Sequence, residues 1–215
     1  MNSLARRLAR RISRPRMRWN ERKRMKALIS VIETVARETA RSRRNNFQAS
    51  TVVFNLGLFF LIAERDIQTL KIDALTHPDP WRRSLCARMI LLTIHELDMD
   101  KVAGQNLRRA MEDAKVPVEV QQETAQCLRG VRTVQQKAKR EFSELRNSTI
   151  GHRDPNALGQ YRAITEMDEL AVLQITVDFY VAIHAFIVLM PRLVGHVGDF
   201  RGLVSQMSAQ AARRV

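Results

Sequence analysis

Between Pro117 and Ile150 the apolar residues Cys127, Val131, Val134, Ala138, Phe142 and Leu145 return every three or four positions. That spacing gathers side chains on one face of an α-helix and would scatter them over both faces of a strand. Similar periods run through most of the chain, and stretches of strict alternation are lacking. Helix breakers are sparse, with 8 Gly and 6 Pro in 215 residues. Leu, Ala, Arg, Glu, Gln and Met dominate, all good helix formers. The pattern predicts an all-α fold of one domain, or of one domain with an extension.

Along the chain, Leu4, Leu8 and Ile12 among Arg6, Arg7, Arg10 and Arg11 predict a short basic amphipathic helix interrupted near Pro15. A second helix is expected from Trp19 to Arg41, with a turn at 42–46. A third covers 50–74. Its apolar half, Val52 to Ala63, holds twelve residues including Asn55, short of the roughly 20 that a membrane span requires. The basic region before it is too long for a signal peptide, and 63–66 makes a poor cleavage site. A buried core helix is the simpler expectation. Thr76 to Pro80 is a break. Helices then follow at Pro80 to Leu97, at Lys101 to Ala114 with Asp100 as N-cap, and at Pro117 to Ile150. Thr165 to Asp168 has the form of a capping box and opens an apolar helix that Pro191 ends or kinks. That helix is apolar on more than one face, which suits a dimer interface or burial at a bundle centre. The tail from Asp199 is expected to be a loose helix or unstructured. This division gives a basic extension over 1–75, a helical bundle over 76–198 and a tail over 199–215.

Charge is uneven. Residues 1–44 hold 15 Lys and Arg against 3 Asp and Glu, a net +12, while the other 171 residues hold 21 against 19. The overall +14 is therefore a property of the N-terminal segment, not of the rest of the chain. Arginines outnumber lysines 29 to 7, a bias that suits bidentate phosphate binding and equally reflects a GC-rich genome. Trp19 is the one aromatic residue of that segment, so base stacking is not indicated. Cys86 and Cys127 lie in apolar helical stretches without metal-ligand spacing. They read as buried thiols of a reducing cytoplasm, and no metal or other cofactor is expected.

The chemistry concentrates at 145–154, Leu-Arg-Asn-Ser-Thr-Ile-Gly-His-Arg-Asp. Arg146, five spacer residues and His152 close the long helix just before Pro155. Arginine stays charged at any working pH and grips phosphate through paired hydrogen bonds. Histidine is the side chain best suited to moving protons near neutrality. The segment resembles the signature of the HEPN superfamily, in which an Arg, often followed by Asn or Asp, precedes a His by four to six residues. Asn147 fills the polar position, and the resemblance covers roughly residues 80–195. It is nearer to the abortive-infection and toxin branches than to the nucleotidyltransferase-paired branch, which carries a tyrosine where this chain has Asp154. The resemblance implies an antiparallel helical bundle that dimerises with the two motifs facing each other. It also implies a metal-independent endoribonuclease, a toxin or phage-defence effector. His152 would act as general base or acid, Arg146 would stabilise the phosphoryl oxygens, and Asn147 would orient His152 or a phosphate oxygen.

On a regular helix Arg146 and His152 are about 120° out of phase. Thr149, Ile150 and Gly151 are expected to loosen the helix and swing His152 back toward Arg146. A second match to the spacing, Arg88 to His95, lies in a run that reads as a buried helix face. Arg88, His95 and Glu96 are either salt-bridged edges or neighbours of the same cleft. Arg153, Arg6, Arg7, Arg10, Arg11, Arg43 and Arg44 are candidates for touching the RNA backbone. His184 reads as a core histidine, Glu144 as surface, and His196 has no evident partner. The expected partners are RNA and a second copy of the chain. An antitoxin or other regulatory protein is a further candidate, as is an anionic membrane surface for the basic segment. Three alternatives stay open. The first is a non-catalytic dimeric scaffold or sensor. The second is a membrane-associated helical protein. The last is a sequence-specific DNA binder, disfavoured because no helix-turn-helix pattern stands out.

Overall fold

The computed structural model describes the backbone of residues 3–151 and 155–213, and their side chains apart from 3–14, 16 and 151. Among the described residues there are nine α-helices, one π-helical turn and no strands. The helices are α1 (Ser3–Arg44), α2 (Gln48–Thr76), α3 (Pro80–Glu96), α4 (Met99–Val102), α5 (Gly104–Asp113), α6 (Val118–Arg146), α7 (Ala157–Thr165), α8 (Glu169–Gly198) and α9 (Phe200–Ala212). The π turn, Asn147–Gly151, follows α6 directly. The all-α class follows from the periodicity, as expected.

Several boundaries differ from the sequence reading, each for a local reason. Pro15 does not interrupt α1, and Pro191 does not end α8. A proline already has a helical φ, and each of these costs one backbone bond in a helix of 42 or 30 residues. The helix expected over 101–114 is two. Ala103 lies between them, and Gly104, the first residue of α5, takes a φ of +41°, outside right-handed helix space. Asp98, not Asp100, caps α4, accepting from the amides of Asp100 and Lys101. Thr165 is the last residue of α7 and donates back to the Tyr161 carbonyl. The cap of α8 is Asp168, which accepts from Leu170 and Ala171. Helix α7 occupies a stretch for which the sequence predicts no element, and Asn156 starts it by accepting from Gly159 at 3.0 Å.

The chain forms two compact units, each assembled from three segments. Unit 1 takes Met1–Ile29, Ala63–Leu97 and Thr133–Tyr180; unit 2 takes Ser30–Ile62, Asp98–Arg132 and Val181–Val215. Each draws on both sides of residue 75.

In unit 1 the buried apolar residues include Ile67 and Ile72 of α2, Ile90, Leu91 and Ile94 of α3, Ala138 of α6, and Val172, Ile175 and Phe179 of α8. Ion pairs join α1 to α2: Lys71 to Glu21 at 2.7 Å, Arg18 to Asp73 at 3.4 Å and Arg24 to Glu64 at 3.8 Å. Trp81 stacks on Tyr161 of α7. Arg83, largely covered, reaches Glu169 at the start of α8 at 3.2 Å and the carbonyl of His77 at 3.0 Å.

In unit 2 the core contains Val53, Leu56 and Phe60 of α2, Leu107 and Met111 of α5, Val120, Leu128 and Val131 of α6, and Phe186, Leu189 and Leu193 of α8. Phe60 and Phe186 lie 5.0 Å apart between ring centroids. The tail, expected to be a loose helix or unstructured, is a capped helix. Asp199 accepts from Gly202, and a Cβ at Gly202 would collide with the His196 carbonyl. Gln206, 1% exposed, donates to Ser50 Oγ and to the Val197 carbonyl, tying α9 to the start of α2 and the end of α8.

His184 is exposed, not buried, while Cys86 is buried and Cys127 half-buried. Among the described residues α8 alone is long and apolar enough to cross a membrane, by length and composition. Its Val172, Ile175, Phe179, Ile183, Phe186 and Leu189 are buried in the protein.

Candidate functional site

The candidate site is built at the end of α6, inside unit 1. A helix leaves its last carbonyls without amide partners. Here the π turn carries the backbone ladder on past Arg146, and side chains supplement it. Ser148 and Thr149 donate back to the carbonyls of Glu144 and Leu145, at 2.8 and 2.6 Å. The carbonyl of Ser148 accepts from Gln160 of α7 at 3.0 Å, and that of Thr149 from Arg88 of α3 at 3.4 Å. The π turn over 147–151 is thus clamped from two sides. The backbone departs from α geometry across the spacer, as its β-branched pair and glycine suggest.

Arg146 is the last residue of α6. Its Nη1 donates to Asn147 Oδ1 at 2.8 Å, and its Nη2 pairs with Glu96 at the end of α3. Its side chain is 28% exposed, against 57% for Glu96. The Nε atom of Arg146 is buried without a hydrogen-bond partner. Arg88 is 4% exposed and its Nε is likewise unpartnered. No carboxylate among the described residues pairs with it; burial alone pulls its guanidinium below the ordinary arginine value. Arginine nevertheless stays protonated in proteins.

His95 is buried one residue before Glu96, and its Nε2 lies 3.1 Å from the Ala138 carbonyl. A carbonyl only accepts, so Nε2 is the protonated nitrogen. Burial pushes the imidazole below its usual value. The Ala138 bond opposes that shift, the Arg146 and Lys139 charges add to it, and Glu96 opposes it. His95 is therefore neutral near pH 7.

The structure thus gathers Arg88, His95 and Glu96 of α3 with Arg146 and Asn147. His152, Arg153 and Asp154 lie outside the described residues, so the relation of His152 to Arg146 is not part of this geometry. The side chains of Arg6, Arg7, Arg10 and Arg11 on α1 also lie outside it. Arg43 and Arg44 are exposed in the last turn of α1, and Glu144 is exposed on α6. The sequence reading missed Gln160, because α7 itself was not foreseen, and it missed the field of Lys139 at His95. Asn156 directly after Pro155 is the signal for α7.

Among the described residues no group of three or more His, Cys, Asp or Glu is placed to hold a metal ion. No protein-family model matches the chain, and no curated protein or solved structure matches it significantly.

Proposed function

We propose that this chain is a metal-independent endoribonuclease of the HEPN type, a cytoplasmic toxin or phage-defence effector that works as a homodimer. The observation that carries the reading is the cationic end of α6. There Arg146 and the buried Arg88 flank a π turn that leads directly into His152. Burying a guanidinium without a carboxylate is costly. Arg88 is enclosed and fixes the turn from within through the Thr149 carbonyl, so Arg146, 28% exposed, is the guanidinium that meets an RNA phosphate.

In the proposed reaction His152 takes the proton of a ribose 2′-hydroxyl, and the 2′ oxygen attacks the adjacent phosphorus. Arg146 stabilises the charge that develops on the phosphoryl oxygens. The bond to the 5′ oxygen breaks, and that oxygen takes a proton from an imidazolium, here assigned to the second copy. The products are a 2′,3′-cyclic phosphate and a 5′-hydroxyl. DNA lacks the attacking group and survives. Asn147, which holds Arg146 through its Oδ1, sets the direction of the guanidinium.

Total RNA incubated with the purified protein in EDTA is expected to be cut, leaving cyclic phosphate ends. His152→Ala should lose about 10²- to 10⁴-fold of that rate. Activity that persists in His152→Ala, or that EDTA abolishes, refutes the mechanism.

A second reading rests on the Glu96 pair. Arg146 already has a counter-ion and a neutral partner, which suits a non-catalytic dimeric scaffold or sensor. Silence of the wild type toward every RNA, with dimerisation intact, would favour it.

A further inference from the structure

Where α1 turns into α2, a cavity of about 370 Å³ lies wholly within unit 2. Three guanidiniums from three different helical ends or faces line it: Arg43 in the last turn of α1, Arg109 on α5 and Arg213 at the C-terminal cap of α9. Asp113 is the one carboxylate in the lining, and both of its oxygens are committed to Arg213, one of them at 2.9 Å. Arg109, one turn before Asp113 on the same helix, is thereby left without a carboxylate among the described residues. So is Arg43. The lining carries three positive charges against one negative, a net +2.

The start of α2 faces the same cavity through Gln48, Ala49, Thr51 and Val52. Its first turn has no acidic residue, so the positive end of the helix is not neutralised from within. The amide of Ser50 is directed to Gln206. Ala49, Val52 and Ala110 supply an apolar wall, while Asn106 and Thr51 supply neutral hydrogen-bonding groups. A volume of this order holds a small organic ligand rather than an inorganic ion alone. Two unpaired guanidiniums match the near-double charge of a phosphate monoester at pH 7, whereas a phosphodiester in mid-strand carries one. The charge match therefore selects a terminal phosphate over an internal one.

We propose that this cavity binds the 5′-phosphate of a nucleotide, with the base or sugar against Ala49, Val52 and Ala110. The nucleotide is either free or the first residue of an RNA strand. The inference is independent of the nuclease reading, because it is tested by binding alone.

The test uses full-length protein and 3′-labelled 2′-O-methyl decanucleotides, which have no free 2′-hydroxyl to attack. One carries a 5′-phosphate and the other a 5′-hydroxyl. Anisotropy is expected to show the phosphorylated strand binding about tenfold more tightly. Arg43→Ala and Arg109→Ala should each remove that preference. Arg108→Ala, whose guanidinium pairs with Glu112 outside the cavity, should keep it. Both tested side chains are exposed, and circular dichroism checks that the variants remain helical. Competition by adenosine 5′-monophosphate assigns the site to free nucleotide. A preference lost in Arg109→Ala but not displaced by the mononucleotide assigns it to strand ends. Equal affinity for the two strands in the wild type, or a preference that survives in both Arg43→Ala and Arg109→Ala, overturns the proposal.

Discussion

At the scale of single residues, His95 illustrates how burial changes the meaning of a side chain. In sequence it is the distal member of an Arg-to-His spacing that resembles the motif at Arg146. In the fold it is enclosed, and it holds the Ala138 carbonyl. Its folded-state value lies below the ordinary 6.5, chiefly through burial. The unfolded chain therefore binds the proton first as acid is added. The contribution of His95 to stability is complete above about pH 6.5 and is lost as the pH falls toward the depressed value. Urea midpoints of the wild type should fall between about pH 7 and pH 5, and His95→Gln should flatten that fall. A glutamine amide can still donate to the carbonyl but does not titrate. Equal pH slopes for the two proteins would remove His95 from the account. Arg146 and Asn147 are readable from the chain because they are adjacent and their chemistry is local. The bonds from Arg88 to Thr149 and from Gln160 to Ser148 join α3 and α7 to the π turn, and no local pattern announces them.

Elements show where local rules carry and where they yield. Pro80 starts α3, as the sequence suggests, and Asp79 caps it. Pro15 is expected to interrupt its helix and does not, and of the two outcomes expected at Pro191, an end or a kink, the end does not occur. Tertiary burial outweighs the missing bond at Pro191, since Leu189, Leu193 and Val197 on either side are buried. The penalty remains stored in the helix. Pro191 is exposed, so Pro191→Ala should restore an amide and its bond without disturbing the core. Stability should rise by about 1–3 kcal/mol, read by thermal or urea denaturation. A loss of stability would mean that the proline bend is itself required for packing. The caps at Asp98 and Asp168 each stand a few residues from the expected cap. Ser, Thr, Asp and Asn are interchangeable as signals, and only the path of the chain chooses among neighbours.

For the whole molecule, charge separates cleanly from packing. The segment 1–44 carries net +12 of the chain's +14, and the ion pairs from α1 to Glu64 and Asp73 consume little of it. If RNA is the partner, this excess supplies affinity without sequence preference. Replacing Arg6, Arg7, Arg10 and Arg11 by Gln should weaken binding of single-stranded RNA. The slope of log affinity against log salt should fall by about 0.7 for each phosphate that is no longer neutralised. An unchanged slope would assign the segment to another partner, such as an anionic lipid surface. Liposome flotation reads that alternative directly.

The sequence by itself determined the helical class, most helix limits to within a few residues, the segregation of charge, and the motif at Arg146. These follow from periodicity, composition and neighbouring residues, which are properties of the chain read locally. Tertiary structure alone decided that Arg88 and Glu96 stand at the end of α6. It alone decided that α7 clamps the π turn, that α9 is anchored through Gln206, and that Arg43, Arg109 and Arg213 share a cavity. The physical reason is that each of these joins groups distant along the chain. Such a pairing is selected by the burial of apolar faces elsewhere in the unit, and the polar groups must then find partners where the packed helices leave them.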